Sequence, residues 1–133
     1  MSLLDDLGNK LQADGVGIVD STVFMGSSAT IPVGDGPYIS LFETGGLAPS
    51  RVQNSPDVAT VKPTVQIVVR ALNPIDARAK SKEAYDSLDG IFNTVLSGTT
   101  YLSIIARQEP TDTGLDELNR VRFTFNIEVE KQP

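Results

Sequence analysis

A two-residue alternation near the C-terminal end constrains the fold more than any other feature of this sequence. In the stretch RVRFTFNIEVE, residues 120–130, every second side chain from Val121 to Val129 is apolar, and those between are polar or charged. Successive side chains of a β-strand point to opposite faces of a sheet, so this pattern predicts a strand with one buried face. A sheet of this kind needs a second layer of structure on its apolar face.

Other segments complete a predicted sheet. Residues 64–71 (TVQIVVRA) alternate in the same way, and residues 100–107 (TYLSIIAR) alternate more loosely. Residues 37–44 (PYISLFET) are rich in the aromatic and β-branched side chains that favour strands. Residues 16–25 are predicted to contain one or two further short strands.

Two helices are predicted beside these strands. Residues 2–12 combine a Ser2 cap, acidic residues in the first turn and a stripe of leucines, which indicates a docked helix or, alternatively, a partner-binding one. Asn73 caps a longer helix, with Pro74 at its first position. The apolar repeat predicts that this helix continues to about Leu96 and ends at Gly98. The stripe comprises Tyr85, Leu88, Ile91, Phe92, Val95 and Leu96.

Three segments are predicted to be irregular. Residues 26–36 form a Ser- and Gly-rich loop, and residues 109–119 form a polar loop or an irregular hairpin tip. Residues 44–63 contain three prolines and a glycine pair without apolar periodicity, so they predict a loop of unusual length. Compact domains rarely carry such a loop unless it has a function. It is therefore a candidate assembly segment; a mobile surface loop is the alternative.

The predicted fold is a single α+β domain over residues 1–133. It is a mostly antiparallel sheet of four to five strands, with a short N-terminal helix and one long central helix packed on one face. The chain shows no internal repeat and no linker that would divide it into two domains.

Composition argues against catalysis. The chain has no His and no Cys, which excludes the usual general base near neutral pH, thiolate nucleophiles and thiolate metal sites. Phosphate-loop and dinucleotide motifs are missing, and neighbouring carboxylates such as Asp112 and Asp116 lie in polar segments, so no catalytic residue, metal or cofactor is predicted. A net charge of −6 argues against broad binding to nucleic acid phosphates. No stretch approaches the roughly 20 apolar residues of a membrane span.

The polar face of the C-terminal strand is a candidate interface. It carries Arg122 and Glu128 beside Thr124, Asn126 and Glu130. Mixed charges on an outer sheet face are commonly only solvated, but they also suit a polar contact between copies of one chain.

Several phrases resemble the tail terminator proteins of long-tailed phages, also called tail completion or minor capsid proteins. The resemblance is carried by GPYISLFETGG before the long loop, by PTVQIVVRALNPIDARAKSKEAYDSLDGIFN, and by RQEP followed by an acidic loop and an Arg-led alternating strand. It spans about residues 36–130. Within it, Arg70 ends the central strand and Arg120 opens the last one.

The resemblance implies a structural virion protein made in the host cytoplasm. Such proteins form a ring, usually of about six copies, at the head-proximal end of the tail tube. The ring stops tube polymerisation, offers a docking surface to head connector or stopper proteins, and lets the genome pass through without specific binding. Residues 44–63 are then expected to contact a neighbouring subunit, the tube or the connector, with Arg51 and Lys62 pairing with a partner's carboxylates. The implied interface residues are Arg51, Lys62, Arg70, Arg120, Arg122 and Glu128.

Two other functional classes remain open on the sequence. One is another head–tail joining or neck protein, which differs little in pattern. The other is a monomeric α+β domain that binds a small molecule or peptide, with the long loop as its lid. An enzyme with an unrecognised site is the least favoured interpretation.

Overall fold

The computed structural model describes residues 3–26, 36–51, 58–115 and 120–133, with the backbone alone at 47–51 and 58–59. Two helices and seven strands lie within these residues. In chain order they are α1 (Leu3–Ala13), β1 (Val23–Met25), β2 (Tyr38–Arg51), β3 (Val58–Ala71), α2 (Pro74–Leu88), β4 (Ile91–Leu96), β5 (Thr99–Ala106), β6 (Thr111–Leu115) and β7 (Val121–Lys131).

The strands form one curled sheet in the order β1-β2-β3-β7-β5-β4, with β6 also pairing with β7. Only the β1–β2 pair is parallel among the described strands; the other pairs are antiparallel. The predicted α+β class and the mostly antiparallel sheet are confirmed. The predicted number of four to five strands is wrong, because β4 arises where a helix was expected and β6 lies in the polar segment before β7.

Both helices pack on the same face of the sheet. The buried cluster joins leucines of α1 and the end of α2 to the apolar faces of β3 and β7. Its largest fully buried side chains include Leu7, Leu11, Leu88, Ile67, Phe125 and Ile127. The alternation predicted for residues 64–71 and 120–130 is therefore confirmed, since the helices bury one face and no described helix covers the other.

Helix α2 begins as predicted and ends earlier. The Asn73 side chain accepts a hydrogen bond from the Asp76 backbone N–H at 2.9 Å, and Pro74 occupies the first turn. The helix stops at Leu88, and Gly90 takes the left-handed region with φ of 76°. The predicted continuation to Leu96 is wrong, because Ile91–Leu96 pairs with β5 as a strand. Gly98 lies in the hairpin turn after this strand and does not end a helix.

The predicted long loop is mostly a β-hairpin arm. Strands β2 and β3 continue through the segment predicted as irregular, and Arg51 is the register partner of Val58. The sequence hides this pairing because the register shifts three times, and a glycine and a proline, Gly46 and Pro63, lie opposite each other. Such bulges break the two-residue period that identifies a strand. Residues 52–57 lie outside the described part.

The N-terminal region is held by close packing. The leucine stripe of α1 is confirmed: Leu3, Leu7 and Leu11 are buried. Gly8 allows the helix to approach β1, since a Cβ atom there would lie 2.5 Å from Met25 Sδ. Within residues 16–25 one strand forms, as one of the two predicted alternatives. The Ser2 cap and most of the 26–36 loop fall outside the described residues.

Candidate assembly surfaces

The outer face of the sheet, opposite the helices, is polar where β3 meets β7. Alternation directs Gln66 and Arg70 of β3, with Arg122, Asn126 and Glu128 of β7, away from the core. These side chains are half-buried or exposed, because no second layer of described structure covers them. This surface contains three of the six residues predicted as interface contacts.

Two arginines face each other at one end of this surface. Arg70 and Arg122 are direct register partners across β3 and β7. The Arg70 guanidinium lies over the Tyr38 ring at 5.4 Å from its centroid, and Arg122 Nη2 donates to the Leu115 backbone oxygen at 3.5 Å. An aromatic ring face stabilises a cation, so the Tyr38 ring helps to hold Arg70 in place beside Arg122.

A groove crosses the other end of the outer face. It is lined by Lys62, Thr64, Ser103, Ile105, Glu128, Val129 and Glu130. Glu128 Oε1 lies 3.4 Å from Arg107 Nε, and both side chains are more than half exposed. Thr60 Oγ1 donates to Glu130 Oε1 at 3.2 Å. Exposed ion pairs of this kind contribute little to stability and leave the charges available to a partner.

The six predicted interface residues do not form one site. Lys62 and Glu128 line the same groove, and Arg70 and Arg122 form the pair described above. Arg51 ends β2 on the arm, away from the rest of the sheet. Arg120 is only 7% exposed, so it offers little surface to a partner.

A different surface was missed by the sequence prediction. Strand β4 is the last strand of the sheet, and its outer edge has no partner among the described strands. Phe92 and Val95 of this strand are 58% and 63% exposed. From Gly90 to Ala106 the chain has no charged residue, which is the longest such stretch in the sequence. This lack of charge could have indicated an uncharged surface strand, but residues 91–96 were predicted to be helical, so the edge was not recognised.

One buried polar pair lies on the helix-covered side. The Tyr101 hydroxyl donates to Asp6 Oδ2 at 2.6 Å, and both residues are buried. Burial, followed by the hydrogen bond to the Asp6 carboxylate and its charge, raises the pKa of Tyr101 above its usual range. The pair joins β5 to α1, as a structural link between the hairpin and the helix would.

The described residues contain no group of three or more side chains suited to hold a metal ion. Neither described helix is long and apolar enough to cross a membrane. Among the described residues, grooves that are open to solvent lie on the outer face, on the arm and along α2.

The sequence profile of the family described as "Bacteriophage tail terminator protein" matches residues 10–133. The chain belongs to this family. The resemblance found in the sequence is thus confirmed, and the tail terminator assignment makes the chain a structural tail protein of the virion. No curated protein matches the sequence.

The tail terminator assignment agrees with the fold. A chain in the solved structure described as "Virion of native gene transfer agent (GTA) particle" superposes with a TM-score of 0.66 at 16% identity. The alignment covers 99% of this chain and 96% of that one. At such low identity this likeness shows the fold alone, and the shared fold extends over nearly the whole length of both chains.

Proposed function

We propose that this chain forms a ring at the head-proximal end of the phage tail tube. The ring stops tube polymerisation and provides the docking surface for head connector or stopper proteins. The observation that carries this proposal is the tail terminator family match over residues 10–133. The fold shared with a chain of a gene transfer agent virion supports it.

The ring acts by shape. Each subunit offers one complementary surface to the tube end and covers the surface that the next ring of tube subunits would need. A contact between two unlike patches closes into a ring when its rotation closes, here after about six copies, and otherwise continues as a filament. The genome passes through the centre, and the net charge of −6 limits adhesion of its phosphates.

The arm and the outer face are the proposed contact surfaces. The arm carries Arg51 and Lys62 beyond the helix-covered part of the sheet, where they pair with carboxylates of a neighbouring subunit, the tube or the connector. Arg70, Arg122 and Glu128 supply polar contacts on the outer face. Arg120, which the resemblance also implied, contributes from within the fold, because it is buried.

The proposed role needs no catalysis and no cofactor. A terminator works by binding, which agrees with a sequence that has neither His nor Cys. A head–tail joining protein remains the second interpretation, since it would use the same kinds of surface. It differs in one measurable respect: it joins heads to tails but does not set tube length.

The decisive experiment adds the purified chain to growing tail tubes and measures their length by electron microscopy. We expect tubes to stop growing and to carry one ring-shaped density at one end. Tubes that grow as long with the chain as without it would refute the terminator role. If heads and tails then still require the chain to join, the joining role is correct instead.

A matched pair of variants tests the arm. Lys62→Ala removes a cation from the arm, and Lys82→Ala removes one from α2, where it pairs with Asp86 at 3.0 Å. We expect Lys62→Ala alone to weaken attachment to tube ends, and to weaken it less as salt rises. Equal attachment of both variants and the wild type would remove Lys62 from the interface.

A further inference from the structure

Two of the open edges among the described strands, those of β2 and β4, are unlike. On one side, β1 pairs with β2 only from Ile39 to Leu41, so Phe42–Arg51 has no described strand along its outer edge. On the other side, β4 has none along Ile91–Leu96. An edge strand presents a row of unpaired N–H and C=O groups, and it pairs readily with another strand unless it is blocked.

Strand β4 lacks the usual protection. Edge strands of lone proteins are commonly blocked by charged side chains or proline, and β4 (IFNTVL) has neither. It instead exposes Phe92 and Val95. The single irregular feature is Asn93, whose φ is 48°. A strand with this composition is typical of an edge that is covered in the assembled state.

Electrostatics favours a second copy of this chain as the occupant. Copies that each carry a net charge of −6 repel one another wherever their acidic surfaces approach. The β4–β5 hairpin lies within the longest charge-free stretch of the sequence, so it is where two copies approach with the least repulsion. On β2, the charged residues from Phe42 to Arg51 are limited to one acid and one base, Glu43 and Arg51, and a single proline, Pro49, lacks an N–H to donate near the end of the strand.

The strand directions select which edge of the second copy is used. Each step from β2 through β3, β7 and β5 to β4 is antiparallel, so β2 and β4 run in the same direction. Contact between two β4 edges would be isologous and would end at a dimer. Contact between β4 and the β2 edge of the next copy joins unlike patches and can continue around a ring.

We propose that β4 of each subunit pairs, in parallel, with the outer edge of the β2 arm of its neighbour. The sheet then continues from copy to copy around the ring, and the arm is the strand that each subunit supplies. This inference rests on the proposed ring and specifies the contact that builds it.

The first test introduces charge at the edge. Phe92→Lys and Val95→Lys place a lysine on β4, and Ile75→Lys makes the same change on α2, which belongs to neither proposed contact surface. All three side chains are partly exposed, so folding should be retained and is checked by thermal unfolding. We expect the β4 variants to weaken assembly about tenfold or more, alone or on tube ends, and Ile75→Lys to leave it unchanged.

The second test uses the absence of cysteine from the chain. Cysteines are placed on β4 by Phe92→Cys or Val95→Cys in one copy, and on β2 by Glu43→Cys or Leu47→Cys in another. Parallel pairing predicts disulfides between the two sets of copies. It also predicts that moving the β4 cysteine from 92 to 95 shifts the preferred β2 partner toward its C-terminal end.

The outcomes separate this inference from the proposed function. Wild-type chain that neither self-associates nor adds to tube ends overturns the ring, and this contact with it. A wild-type ring that survives the β4 lysines, or disulfides that form only between β4 strands, overturns the contact and leaves the ring. An equal loss of assembly with Ile75→Lys would show that added charge anywhere on the surface causes the loss, and would overturn the contact through the β4 edge.

Discussion

Residues 74–88 and 91–96 share one apolar repeat but form different structures. In α2 the repeat buries Leu88 against the sheet. In β4 the same spacing leaves Phe92 and Val95 exposed, because this strand lies at the edge of the sheet and no described element covers these two side chains. A helical repeat read over a short segment therefore does not distinguish a helix from a strand beside it. The break between them depends on two residues, Asp89 and Gly90.

The largest expected effect separates two members of that repeat. Leu88→Ala should lower the free energy of unfolding by about 2–5 kcal/mol, because Leu88 is fully buried. Phe92→Ala should change it by roughly 0.5 kcal/mol or less, because the ring is already in solvent. Urea unfolding measures both. Similar losses for the two variants would mean that the helical stripe continues past Leu88.

A second prediction concerns the link that holds the hairpin to α1. Tyr101→Phe removes the hydrogen bond to Asp6 and should destabilise the fold by about 1–3 kcal/mol. Adding Asp6→Leu should recover part of this loss, since no buried carboxylate is then left without a partner. A double variant less stable than Tyr101→Phe would show that Asp6 stabilises the fold through other contacts.

The same pair predicts a pH dependence. The folded state raises the pKa of Tyr101, so above about pH 10, the usual tyrosine pKa, the folded chain binds more protons than the unfolded chain. The contribution of Tyr101 to the free energy of unfolding should therefore be fully present below about pH 10 and should decrease as the pH rises above it. Tyr101→Phe should show a shallower fall between pH 10 and about 11. Identical slopes for the two proteins would contradict the assigned environment of Tyr101.

A smaller effect tests the break between helix and strand. Gly90→Ala should cost about 1–2 kcal/mol because φ is 76°, although a Cβ atom would meet nothing within 4 Å. Gly90→Asn should cost less, since Asn tolerates the left-handed region better. The midpoint temperatures of thermal unfolding rank the stabilities of the wild type, Gly90→Asn and Gly90→Ala. If Ala is as stable as Gly, the left-handed turn is not what ends α2.

The smallest effect lies at the end of α2. Ser87 Oγ donates to Asp14 Oδ2 at 2.6 Å, and Lys10 also pairs with this carboxylate. The Lys10 hydrogen bond, followed by that of Ser87, lowers the pKa of Asp14. The ionised Asp14 carboxylate therefore stabilises the folded state above pH 3.8, and this stabilisation is lost as the pH falls below that value. Ser87→Ala should remove about 0.5 kcal/mol or less at pH 7, and less at pH 3, in urea unfolding. If Ser87→Ala lowered the free energy of unfolding more at pH 3 than at pH 7, the predicted direction of the pH dependence would be wrong.

Much of the fold could be predicted from local patterns. The alternation of β3 and β7, the leucines of α1 and the Asn73 cap each identify their element, because the signal lies within the element itself. Strand β6 was anticipated only as a possible hairpin tip, since its five residues are all exposed and carry no apolar period. The arm was hidden by bulges around Gly46 and Pro63.

The candidate surfaces were less predictable. Arg70, Arg122 and Glu128 were placed correctly on the outer face, because alternation alone assigns a face. Arg120 was expected to contact a partner, but it is buried, and nothing in its local sequence indicates this. The exposed β4 edge was missed completely, since an edge is defined by which strands pair and not by the strand's own residues.

The sequence by itself determined the faces of the long strands, the start of α2 and the lack of familiar catalytic motifs. These properties follow from residue type and spacing, which act over a few neighbouring residues. Tertiary structure alone decided that Ile91–Leu96 is a strand, that residues 44–51 and 58–63 pair as an arm, and which edges stay open. Backbone hydrogen bonds within a sheet join residues far apart in the chain, so local sequence contains only half of each pair.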